Sequence, residues 1–102
     1  MIAVEAYEMD IIIEIIKKHI SNCYVLAFGS RIKGTNNAAS DLDLAVVGSD
    51  KISFDIIGAM KEDFMESDIP YKVDVLDYNG ISPTFKKIID AQNIPIYPNF
   101  NL

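Results

Sequence analysis

The segment Ser40-Asp41-Leu42-Asp43-Leu44-Ala45-Val46 constrains this chain more than any other. Side chains of an extended strand alternate between the two faces of a sheet. Asp41 and Asp43 therefore share one face, while Leu42, Leu44 and Val46 share the other. One face demands a core. The other sets two like charges side by side, which repel unless something positive lies between them, and hard oxygen ligands of this kind suit Mg²⁺. Taken alone, the pattern more often marks a solvated polar face on a half-buried strand, so the neighbouring segments decide the reading.

Upstream, Tyr24-Val25-Leu26-Ala27-Phe28 is a short apolar run that stops at Gly29, the signature of a buried strand ending in a tight turn. Gly29-Ser30-Arg31-Ile32-Lys33-Gly34 follows. Glycine lets backbone N–H groups approach an anion, Ser30 adds a hydroxyl donor, and Arg31 and Lys33 add charge suited to phosphate. A strand leading through Gly-Ser into a helix start also aims backbone amides at a phosphate. The pattern is neither a Walker A loop nor a dinucleotide fingerprint. Downstream, Tyr71-Lys72-Val73-Asp74-Val75-Leu76-Asp77 reads as a further strand with Asp74 between two valines. An acid in an apolar run is costly to bury unless it is paired or metal-bound. Asp74 either faces solvent or joins Asp41 and Asp43.

Gly29-Ser30, ten intervening residues, Asp41-x-Asp43 and then Asp74 together resemble the nucleotidyltransferase superfamily that includes DNA polymerase β, and in particular its minimal nucleotidyltransferases. The similarity extends through Phe85-Lys86-Lys87-Ile88-Ile89 to Ile94-Pro95-Ile96-Tyr97 and covers nearly the whole chain. It implies an α/β (α+β) fold, a small mixed sheet with packed helices, spanning 1–102 as a single domain. It implies nucleotidyl transfer from a triphosphate, with ATP as substrate and two Mg²⁺ ions roughly 3.5–4 Å apart. Asp41 and Asp43 would bridge the ions, and Asp74 would bind the nucleophile-side ion and accept or orient the acceptor proton. Gly29, Ser30, Lys33 and Arg31 would hold the β- and γ-phosphates. Members of this group are typically paired with a small helical partner, either a HEPN-type toxin or a substrate-binding subunit. In the toxin pairs the nucleotidyltransferase acts as antitoxin and transfers AMP to a tyrosine of the toxin. Two other readings stay open: adenylylation of a small molecule held by a helical subunit, and a non-catalytic antitoxin that masks its partner.

Composition fits one small intracellular domain. The chain has 102 residues, 50% of them hydrophobic and 24% charged, enough for a modest core. A net charge of −6 argues against broad binding to a nucleic-acid backbone. The lone Cys23 cannot form an intramolecular disulfide, which suits a reducing, cytoplasmic setting, and no stretch is long enough to span a membrane.

The expected elements are a helix from about Glu5 to Ile20, strands at Tyr24–Phe28 and Asp41–Val47, and a helix from about Ser53 to Glu66. The Asp74 strand follows Pro70, Asn79-Gly80 marks a turn, Ser82-Pro83 starts a helix, and Pro95 confines Ile94–Tyr97 to a sheet edge. His19 reads as a solvent-facing residue near a helix C-terminus, Asp77 as a turn residue, and Met60, Phe64 and Met65 as core. On the first helix, Met9, Ile12, Ile13, Ile16 and Ile20 form one apolar stripe at 100° per residue. Val4, Tyr7, Ile11 and Ile15 form a second on nearly the opposite side. That second stripe is either covered by another part of this chain or, the expectation preferred here, an interface for the helical partner or for self-association.

Overall fold

In the computed structural model, which describes residues 2–98, the backbone follows the alternation of apolar runs and turn residues. Helix α1 (Ala6–His19) is capped by Glu5 through a reciprocal capping box, in which the Glu5 amide donates to Glu8 Oε1 at 2.9 Å. Lys17, Lys18 and His19 sit at its negative end. Strand β1 (Tyr24–Phe28), the single-turn helix α2 (Ser30–Lys33) and strand β2 (Leu42–Val47) follow. Next come α3 (Phe54–Met65), β3 (Val73–Asp77), a 3-10 turn at Tyr78–Gly80, α4 (Pro83–Ala91) and β4 (Ile94–Tyr97). Ser53 and Ser82 cap α3 and α4 by accepting from the Asp55 and Phe85 amides.

The four strands lie in the order β3-β2-β1-β4. β1 runs antiparallel to β2 and β4, whereas β2 and β3 are parallel, so α3 is the crossover that a parallel pair requires. Proline-containing β4 is an edge strand, as its missing N–H dictates. Leu42, Leu44 and Val46 join Val25, Ala27, Val73 and Val75 on one face of the sheet. There α1 and α3 cover them with Ile12, Ile16, Ile57, Met60 and Phe64. The other face holds a smaller cluster of Leu26, Phe28, Ala45 and Val47 under Ile89 and Phe85 of α4. The Phe28 and Phe85 rings meet edge to face at 5.9 Å.

Four expectations change. Met65, placed in the core by default, is 83% exposed at the last position of α3. His19 is not solvent-facing: its ring packs with 14% exposure, and Nε2 bonds the Asp63 carboxylate, which Lys18 also meets at 3.0 Å. Ile13 is only half-buried. The second stripe of α1 is largely internal, since Val4, Ile11 and Ile15 pack half-buried against the main core and Tyr7 alone stays exposed. Asp77 is a turn residue as expected. It accepts from the Asn79 amide at 3.2 Å and from the Ile52 amide at 3.1 Å. Among the described residues no helix is long and apolar enough to cross a membrane.

Candidate active site

The carboxylates are placed by strand register. Asp43 and Asp74 are each the second residue of their strand, and parallel pairing sets them directly side by side. Both are half-buried on the α4 face of the sheet. Asp41 is exposed just before β2, and the Leu42 amide beside it donates to the Lys72 carbonyl at 2.9 Å, which locks the starts of β2 and β3 together. Burial pushes the Asp43 carboxyl above the ordinary range, Asp74 and Asp41 raise it further by repulsion, and Lys72 pulls the other way. Lys61 of α3 places Nζ 3.6 Å from Asp74 Oδ1. That pair is exposed enough to contribute little to stability.

The turn after β1 is built around the same carboxylate. Gly29 has φ +88°, and a Cβ on it would lie 2.3 Å from Asp43 Oδ2, so only glycine fits under the acid. Phe28 pairs with Asp43 across β1 and β2, which brings Gly29-Ser30 to the acid's other flank. Ser30 is half-buried at the start of α2, and Lys33 is exposed at its end. Gly34 closes this single turn in the left-handed conformation at φ +81°.

A scan against protein families matches residues 10–100 to the polymerase beta nucleotidyltransferase family. The chain belongs to this nucleotidyltransferase family. A curated relative, the probable protein adenylyltransferase MntA of Haemophilus influenzae, is 38% identical over 86 residues, covering 84% of this chain and 75% of the relative. A crystal structure of a toxin–antitoxin with AMP-PNP superposes with a TM-score of 0.75 at 22% identity, over 87% of this chain and 72% of that one. The tri-AMPylated HEPN toxin of Shewanella oneidensis in complex with its MNT antitoxin gives 0.67 at 19%, over 87% and 68%. These solved structures share the fold.

One expected contact of this nucleotidyltransferase does not survive. Arg31 cannot serve the phosphates, because the residue is 6% exposed and its guanidinium is already spent on the protein. Nε donates to the Ser40 carbonyl at 3.0 Å and Nη1 to the Ala3 carbonyl at 2.9 Å, while Nη2 faces the Asn37 and Ala38 carbonyls. The guanidinium also lies 3.6 Å from the Tyr71 ring centroid. Tyr71 in turn donates to Glu8 Oε1 at 2.8 Å, and burial together with that bond raises its phenol pKa. Arg31 thus ties α2 to the loop that delivers Asp41 and to the segment that leads into β3. Sequence reasoning also missed Lys61 and Tyr71. Neither carries a local signal, since their places follow from how α3 and the start of β3 pack.

The donor set fits a hard divalent cation. All candidate ligands are carboxylate oxygens, and the upward-shifted Asp43 marks a concentration of negative charge that a cation would relieve. Among the described residues no three acidic, histidine or thiol groups close on one point. Asp43 and Asp74 are the adjoining pair, with Asp41 beside them at the exposed start of β2.

Proposed function

We infer that this protein transfers AMP from ATP to an acceptor hydroxyl presented by a partner protein, a tyrosine of a helical HEPN-type toxin, and so acts as its antitoxin. The observation that carries the reading is the row Gly29-Ser30, Asp43, Asp74 across three neighbouring strands, with Gly29 under the Asp43 carboxylate. A masking protein that only covers its partner has no use for glycine at that contact beside two paired acids. The curated adenylyltransferase relative and the fold shared with toxin–antitoxin complexes support the acceptor class.

Asp41, Asp43 and Asp74 would hold Mg²⁺, which when bound neutralises phosphate charge and activates the nucleophile. Gly29, Ser30 and exposed Lys33 would seat the β- and γ-phosphates at the β1 flank. Asp74, on the opposite flank, takes the acceptor proton. The acceptor oxygen bonds to the α-phosphorus, and the bond to the bridging oxygen breaks with its electron pair on the departing pyrophosphate. Positioning and preorganised charge supply nearly all of the rate in such a transfer. In this reading 1–102 form a single domain, and its use of ATP and Mg²⁺ suits a cytoplasmic setting.

Asp74→Asn separates the roles. Turnover with α-labelled ATP should fall by about two to four orders of magnitude, as expected for loss of a general base. Calorimetric ATP–Mg²⁺ affinity should stay near wild type, because Asp41 and Asp43 remain. Nucleotide binding lost together with turnover would show that Asp74 is no separate base, and unchanged turnover would remove it from the reaction.

A further inference from the structure

Beyond Asp74 the β3 edge of the sheet opens into a groove of about 540 Å³. Met65, Ile69, Pro70 and Tyr71 line it together with the charged Lys61, Lys72 and Asp74. Its position is set by topology. Strand order puts Gly29-Ser30, Asp43 and Asp74 in sequence across β1, β2 and β3, and adjacent strands lie about 4.8 Å apart. Attacking and leaving oxygens stand roughly in line on opposite sides of a transferred phosphorus. With the leaving phosphates on the β1 flank, the acceptor must approach from the β3 flank. The groove lies on that flank, with Asp74 in its lining.

Its chemistry is equally selective. Met65 is 83% exposed at the last position of α3, an apolar side chain that the core does not use. Tyr71 is a fixed wall, stacked at 3.6 Å on the buried Arg31 guanidinium and bonded through its hydroxyl to Glu8 at 2.8 Å. Two of the charged lining groups stand together, with Lys61 Nζ 3.6 Å from the Asp74 carboxylate, and Lys72 is the third.

We propose that this groove seats the acceptor side chain itself, a tyrosine of the partner, with the ring against Met65, Ile69, Pro70 and Tyr71 and the hydroxyl at Asp74. The assignment rests on the transferase reading above and adds where, and which, acceptor is recognised. A phenol ring matches apolar walls while its hydroxyl reaches Asp74. A serine or threonine hydroxyl placed at Asp74 would leave those walls wet, so the groove selects phenols over aliphatic alcohols. The phenol proton passes to Asp74 as the oxygen bonds to the α-phosphorus and pyrophosphate leaves with the bond's electron pair. The Lys61 ammonium favours the charge developing on the phenol oxygen.

The test uses the full chain with α-labelled ATP, Mg²⁺ and N-acetyl-tyrosinamide as acceptor probe, with N-acetyl-serinamide beside it. Labelled adduct should form on the phenol in preference to the serine. Met65→Ser should raise KM for the phenol about fivefold or more, as removal of one apolar wall predicts. Met65→Leu should restore it, and nucleotide affinity by calorimetry should stay unchanged in both. In methyl-labelled protein the Met65 resonance should shift saturably with the phenol probe, while Met9 and Met60 should not move. A Met65→Ser enzyme with wild-type KM for the phenol, equal use of serine, or a Met65 resonance unmoved by the probe would overturn the groove assignment. No transfer by a protein whose Met65 resonance does shift would uphold the groove and contradict the transferase reading instead.

Discussion

The two faces of strand β2 are opposite in chemistry. Leu42, Leu44 and Val46 point into a core of sixteen buried residues among those described, closed by α1 and α3. Asp43, one position away, points to a face where, among the described residues, a smaller buried cluster of Leu26, Phe28, Ala45 and Val47 gathers with Ile89 of α4. Leu44 is 1% exposed among apolar neighbours, whereas Asp43 sits against Asp74 with its carboxyl pushed upward by burial and repulsion. Alternation thus lets one strand divide its labour. The first face holds the fold together, and the second stores unfavourable charge that a bound cation and triphosphate can use.

If that division is right, the boundary between the faces should break most readily at Gly29. Gly29→Ala forces a Cβ onto a residue with φ +88°, 2.3 Å from Asp43 Oδ2. The backbone strain alone costs about 1–3 kcal/mol. Displacing the acid by about 1 Å should lower AMP transfer about a hundredfold. A transfer assay paired with thermal melting reads both, and wild-type transfer in Gly29→Ala would show that the contact does not position Asp43.

A smaller effect belongs to Arg31→Lys. Lysine keeps the charge but loses the planar fork that spans the Ser40, Ala3 and Asn37 carbonyls and the stack on Tyr71. Stability should fall by about 1–3 kcal/mol as buried acceptors lose partners. Transfer should fall about tenfold because the loop before Asp41 loosens, with the Mg²⁺ concentration for half-maximal activity rising. Ile57→Val, a core change of comparable stability cost, should leave that Mg²⁺ dependence alone. Equal shifts in the two variants would reduce Arg31 to a purely structural residue.

Much of this was legible before any coordinates. Asp41-x-Asp43 and the Gly29-Ser30 turn carry their meaning locally, because strand alternation and glycine conformation act over a few residues. The caps at Ser53 and Ser82 and the edge position of Pro95 were readable for the same reason. Arg31 was misread because its chemistry suits phosphate as well as carbonyls. Its choice was made by Ala3 and Tyr71, which sequence distance hides. The α1 stripe of Ile11 and Ile15 reads as an interface because periodicity counts apolar faces; it cannot tell that α3 packs against the helix or that both residues meet the main core half-buried. His19 was misplaced likewise: Asp63, its partner, lies 44 residues away.

One paired measurement tests the division of β2 most directly: AMP transfer from α-labelled ATP and the thermal midpoint at neutral pH, for Asp43→Asn and Leu44→Ala. Because the Asp43 carboxyl titrates above its unfolded range, its charged form works against folding once pH rises through that range. Asp43→Asn should therefore melt at or above the wild-type temperature while transferring less than about a thousandth of the AMP, since an electrostatic anchor of the reaction is gone. Leu44→Ala should lose about 2–5 kcal/mol of stability, yet below its melting temperature its folded fraction should transfer AMP at close to the wild-type rate. Asp43→Asn that unfolds, or that keeps wild-type transfer, would contradict the account.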